Sequence, residues 1–176
     1  GERSFHIFYQ VLVALSDANC LKEDEFCRGL PKVLTDVSKI VGHHNWHPHD
    51  FTYLEGSSNI EGLDEVREFN RTFEAMHAFG IAHDTIGEVI LALLAVLHLG
   101  NTAFRAPARN SEGSEAVNPE DGTSSFAMVS KLLGVSVDML QRALCTRTMN
   151  VQDKHGGHTI FSSKTLAQAA AGRDAL

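Results

Sequence analysis

The sequence has little cysteine, a deficit of basic charge and no apolar run long enough to cross a membrane. Cys20, Cys27 and Cys145 are odd in number and form no C-x-x-C pair. That argues against a zinc knuckle or a complete disulfide framework and leaves reduced cytosolic thiols. Lys and Arg number 15 against 22 Asp and Glu, for a formal charge of −7. A general nucleic-acid binder needs surplus cations to neutralise phosphates, so that class is set aside. The longest apolar stretch, Ile86 to Leu99, is shorter than the roughly 20 residues a bilayer requires and carries Glu88 and His98. It predicts a buried helix, with no membrane contact from this segment. No basic region followed by an apolar one opens the chain, and no internal repeat is visible. Gly1 leads almost at once into a helical pattern and Leu176 falls inside another, as expected of a piece cut from a longer chain.

What is present is a chain of 176 residues, 43% hydrophobic, enough to bury one sizeable core. Phe5, Phe8, Tyr9, Leu12 and Leu15 recur at helical spacing behind a capping Ser4 and predict a first helix with these residues facing the core. Pro31 to Val41 predicts a second, with Leu30, Val33, Val37 and Ile40 as its stripe, Gly42 past its end, and a turn or two added by Lys22 to Arg28. Gly42 to Leu63 reads as loop with an extended piece at Phe51 to Leu54. Asp64 caps the clearest helix, whose face is Val66, Phe69, Phe73 and Met76 and whose stop is Gly80. Asp84 caps the next, which Gly100 ends.

Ala106 to Ser125 has almost no large apolar residue and predicts a mobile surface loop, because burial cannot offset its ordering entropy. Phe126 to Leu133 and Ser136 to Leu144 predict two short helices about Gly134. After Thr146, alternation and the Gly156-Gly157 pair suggest a hairpin, with strands near Thr148 to Gln152 and Thr159 to Ser162. A final helix capped by Ser162 or Ser163 carries Leu166, Ala169, Ala170 and Arg173. The expected fold class is mainly α with a small β-hairpin near the C-terminal end. It divides into a helical core at 1–105, a flexible surface loop at 106–125, short helices at 126–146, a basic hairpin at 147–163 and the start of a long helix at 164–176.

Four stretches in order, GERSFHIFYQ at 1–10, HPHDFTYLEGSSNIEGLDEVREF at 47–69, ILALLAVLHLGNTAF at 90–104 and GRDAL at 172–176, with LLGV at 132–135, resemble the myosin motor head. Their order and spacing span essentially the whole chain. In that family this region lies between the two nucleotide switch loops and forms the upper wall of the actin-binding cleft. The resemblance implies a helical subdomain of a motor, with the actin filament and the remaining segments of the same head as partners, in the cytoplasm on the actin cytoskeleton. Phosphate binding in the family needs G-x-x-x-x-G-K followed by Ser or Thr, and no such run occurs here. ATP and Mg of the parent, an actin-activated ATPase, are therefore expected outside these residues. No catalytic, cofactor-binding or metal-binding residue is assigned, and the fragment is not expected to catalyse alone. The alternative is a freestanding helical interaction module without motor activity.

From Arg142 to Arg173, five cations (Arg142, Arg147, Lys154, Lys164, Arg173) stand against Asp153 alone. In the resembled family the hairpin here contacts actin, an acidic surface, and complementary charge steers and orients such an encounter. The resemblance thus points to Arg147, Lys154 and Lys164. Some members carry a phosphorylatable or acidic residue 16 positions before the aspartate of the closing motif, and counting back from Asp174 gives His158. His158 departs from that pattern. Either Thr159 takes the role after a one-residue shift, or His158 itself titrates near neutral pH.

Two other groups invite a sharper reading. His43, His44, His47 and His49 beside Asp50 supply ligands suited to a divalent metal. Pro48 and the loop setting fix no tetrahedral geometry, so a solvated histidine-rich loop is preferred. Glu61, Asp64, Glu65 and Glu68 lack calcium-loop spacing and suit a helix N-terminus. His98, in the last turn before Gly100, is expected to bond terminal carbonyls, and His6 is read as a helix residue.

Overall fold

The computed structural model describes residues 4–16, 29–42, 46–56, 62–109, 111–118, 124–153 and 156–175, with the backbone alone at 150–153 and 156–158. The fold is mainly helical with two small antiparallel strand pairs, in the order α1 (His6–Ser16), α2 (Leu30–Val41), α3 (Glu65–Ala78), α4 (His83–Gly100), β1 (Phe104–Arg105), β2 (Glu115–Ala116), α5 (Ser125–Leu133), α6 (Val137–Cys145), β3 (Thr146–Asp153), β4 (Gly156–Ser163) and α7 (Leu166–Asp174). The chain divides into two compact units, Gly1–His98 and Leu99–Leu176. The expected turns at Lys22 to Arg28, together with Cys20, Cys27, His43, His44, Glu61 and Lys154, lie outside the described residues.

In the first unit α1 packs on α3 and α2. Phe8, Tyr9, Leu12, Leu30, Val33, Val37, Phe69 and Phe73 are buried, as their spacing predicts. Phe5 is not: it precedes the first helical residue, is 78% exposed, and its ring lies T-shaped to that of Phe8 at 6.5 Å. The Asp64 carboxylate accepts from the Arg67 amide at 3.1 Å and starts α3. Gly80, at φ +78°, ends it, with its N–H on the His77 carbonyl and that of Ile81 on the Met76 carbonyl, a Schellman stop. The expected extended piece is instead two 3-10 turns, Pro48–Asp50 and Thr52–Leu54. The Asp50 carboxylate accepts from the His47 amide at 2.7 Å and closes the first turn, while Phe51 and Leu54 are buried. Asp84 does not cap α4. The helix begins at His83 with the Ala82 carbonyl accepting from Ile86, which leaves Asp84 inside the first turn. At 18 residues, α4 extends beyond the apolar run of 86–99 and, unlike that run, is long and apolar enough by length and composition to cross a membrane. Ile86, Ile90, Leu94 and Leu97, however, are buried in the protein.

In the second unit the core is Leu99, Ala116, Phe126, Val129, Leu140, Leu144, Cys145 and Ala169. Ser124 and Ser136 cap α5 and α6, and Gly134 at φ +64° ends α5. α7 starts from Thr165, not Ser162 or Ser163. Thr165 and Gln168 form a reciprocal capping box, whereas Ser162 and Ser163 pair with Arg147 and Thr146 in the hairpin. The expected hairpin is present, and its strands run longer than expected, with Gly156 and Gly157 in β4 opposite Asp153 and Gln152. Within 106–125, Ser114 and Ala116 are buried. β2 pairs with β1 there, and the Arg105 Nε to Glu115 Oε1 distance is 2.7 Å.

Candidate functional site

The hairpin is two strands in register from Thr146↔Ser163 to Asp153↔Gly156. Side chains directly opposite in an antiparallel pair share a face. Arg147, Met149, Ile160 and Ser162 therefore share one face, and Thr146, Thr148, Thr159, Phe161 and Ser163 the other. A two-stranded ribbon has no sheet behind it, yet apolar side chains stand exposed on both faces: Met149 at 41% and Ile160 on the first, Phe161 at 73% on the second. Arg147 is exposed and makes no ion pair or side-chain hydrogen bond with another described residue.

The base of the ribbon is fixed by Lys164. Its N–H donates to the Cys145 carbonyl at 2.8 Å. Its ammonium donates to the Ala143 carbonyl at 3.1 Å, satisfying one of the orphan acceptors in the last turn of α6. Its own carbonyl accepts from Ser114 Oγ at 2.9 Å. The Ala116 amide donates to Gln141 Oε1 at 3.0 Å, so 114–116, α6 and the hairpin base meet in one polar junction. Burial pushes the Cys145 thiol above its ordinary pKa in this junction, against opposing help from Ser114 and Lys164.

Arg147 thus shares a face with Met149, Ile160 and Ser162, Thr159 is exposed on the opposite face, and Lys164 is engaged at the base. His158 pairs with Val151 in the strand register. Lys154 lies beyond the described part of the hairpin. Sequence reasoning missed Phe161, Met149 and Ile160. Their signal was available: apolar residues at adjacent positions in a short hairpin must expose one on each face.

The stretches ILALLAVLHLGNTAF and GRDAL meet through Arg173, whose Nη1 donates to the Thr102 carbonyl at 2.8 Å and lies 3.5 Å from the Gly100 carbonyl. The sequence profile described as Myosin head (motor domain) matches residues 1–176. The chain belongs to the myosin head family. It is 35% identical to Myosin IC heavy chain of Dictyostelium discoideum over 100% of this chain and 13% of that protein. It is 30% identical to Myosin-3 of Candida glabrata over 100% of this chain and 12% of that protein. It is 29% identical to Unconventional myosin-Ia of Gallus gallus over 100% of this chain and 14% of that protein. The chain therefore spans only about an eighth of the length of these myosins.

His98 is buried with its ring edge-on to Trp46 at 5.0 Å and Phe51 at 5.2 Å, an aromatic cluster in place of the expected helix-end role. His47 and His49 are exposed and stack on each other at 5.2 Å. Among the described residues no three His, Cys, Asp or Glu side chains are grouped to hold a metal.

Proposed function

We propose that this segment forms one wall of the actin-binding cleft of an ATP-driven cytoskeletal motor and meets the actin filament through the β3–β4 hairpin. The observation that carries the reading is a two-stranded ribbon with an exposed Arg147 and exposed apolar side chains on both faces, in the region where cations outnumber acids. Arg147 and Lys154 supply the positive charge that steers the encounter, and Thr159, or His158 beside it, is where added or titrating charge would tune it. Lys164 orients the ribbon through its bond to α6. ATP and Mg belong to segments outside this chain, and nucleotide-driven shifts between open and closed cleft change how the wall presents the hairpin. Exposed Phe79, Val89 and Val96 give the remaining head segments apolar surface to cover.

The test is Arg147→Glu combined with Lys154→Glu in the complete motor head, read by cosedimentation with filaments. Affinity at low salt should fall roughly tenfold, with a shallower salt dependence. Unchanged affinity at low salt overturns the assignment.

A further inference from the structure

We infer that the hollow between α6 and the hairpin receives an apolar side chain flanked by a carboxylate on the surface the hairpin meets, with Phe161 as apolar anchor and Arg142 as cation. This rests on the reading of the hairpin as the actin contact and deepens it, by separating a residue pair that supplies affinity from the charges that steer. The hollow, about 560 Å³, is lined by Arg142, Ala143, Thr146, Thr148 and Phe161. Phe161 sits directly opposite Thr148 in the ladder and shares its face with Thr146. It is nonetheless 73% exposed, an aromatic surface left to water unless something covers it. Arg142 lies one helical turn before Thr146, is exposed, and has no ion pair or side-chain hydrogen bond with another described residue.

These residue types are the ones that anchor protein interfaces. An aromatic ring contributes a large apolar area for few frozen torsions, and a guanidinium grips a carboxylate with two parallel donors. The Thr146 and Thr148 hydroxyls add donors on the wall between them. Charge selects the occupant: with five cations against Asp153 alone from Arg142 to Arg173, an acidic surface fits and a basic one is repelled.

The experiment uses the complete motor head and actin filaments, comparing Phe161→Ala, Arg142→Gln and Thr148→Trp with Arg147→Glu at low and high salt, alongside melting temperature and oligomeric state. Phe161→Ala should weaken binding roughly tenfold or more at both salts, because apolar burial is not screened. Arg142→Gln should weaken it mainly at low salt. Thr148→Trp, which fills the hollow while leaving Phe161 and Arg142 in place, should weaken it with melting unchanged, and it decides the matter if Phe161→Ala also lowers melting. If Arg147→Glu weakens binding and the hollow variants do not, the hollow is overturned while the hairpin reading stands. If none weakens binding, both fall. If the hollow variants change melting or oligomeric state and leave filament affinity intact, the head's own chain or a second copy occupies the hollow, and the inference is overturned.

Discussion

Replacing Arg173 by methionine should loosen the tie between α7 and the turn after α4 while leaving both helices formed. The guanidinium donates to the carbonyl of buried Thr102 at 2.8 Å from a side chain only 20% exposed. A charged donor to a neutral acceptor in such a place contributes about 1.5–3 kcal/mol. The approach to the Gly100 carbonyl at 3.5 Å is at the limit of a hydrogen bond and adds little. The ion pair to Asp174, whose carboxylate is 49% exposed, adds about 0–1 kcal/mol. A net loss of about 2 kcal/mol corresponds to roughly thirty-fold more frequent local opening. Hydrogen exchange of the complete head, followed in peptides covering 99–105 and 166–175, should show that loss of protection. Arg173→Lys, which keeps the charge and loses the planar fork, should recover part of it. A change below about twofold in both peptides for Arg173→Met would refute the assignment of this contact.

Gly29→Ala should destabilise by about 2–4 kcal/mol, from a positive-φ residue acquiring a Cβ and from overpacking. Gly29 sits at φ +87°, and a methyl there would overlap the His83 ring, itself stacked on Phe73 at 5.6 Å. Urea unfolding showing a loss below about 0.5 kcal/mol would contradict it. For Cys145 the folded thiol is raised by burial, so its contribution is intact below the unfolded thiol value near 8.5 and is lost as pH rises through the folded one. Stability should therefore fall above about pH 8.5 more steeply in the wild type than in Cys145→Ala, and parallel pH profiles would argue against a buried thiol.

What was legible in the sequence was local chemistry. Asp64 at the head of an amphipathic stretch and Gly80 and Gly134 at stops each act within a few residues, and the structure follows them. Errors arose where two local signals competed or where a distant partner decided. Ser162 and Ser163 could cap a helix, but strand pairing holds them and Thr165 with Gln168 makes the better box. Ser114 sits in a polar, apolar-poor stretch and is nonetheless buried, with its hydroxyl donating to the Lys164 carbonyl far along the chain. The same holds for the candidate site. Cations are visible in a sequence, whereas the engagement of Lys164 with α6 and the hollow beside Phe161 exist only once α6 and the hairpin are packed together.

The claim that the hairpin meets actin is tested most directly by hydroxyl-radical footprinting of the complete head with and without saturating filaments. Met149 and Phe161 are exposed on opposite faces of the ribbon and carry the sulfur and the aromatic ring that label readily. Both should be labelled in the free head and protected on the filament. Equal labelling in the two states, at saturation, would contradict the account.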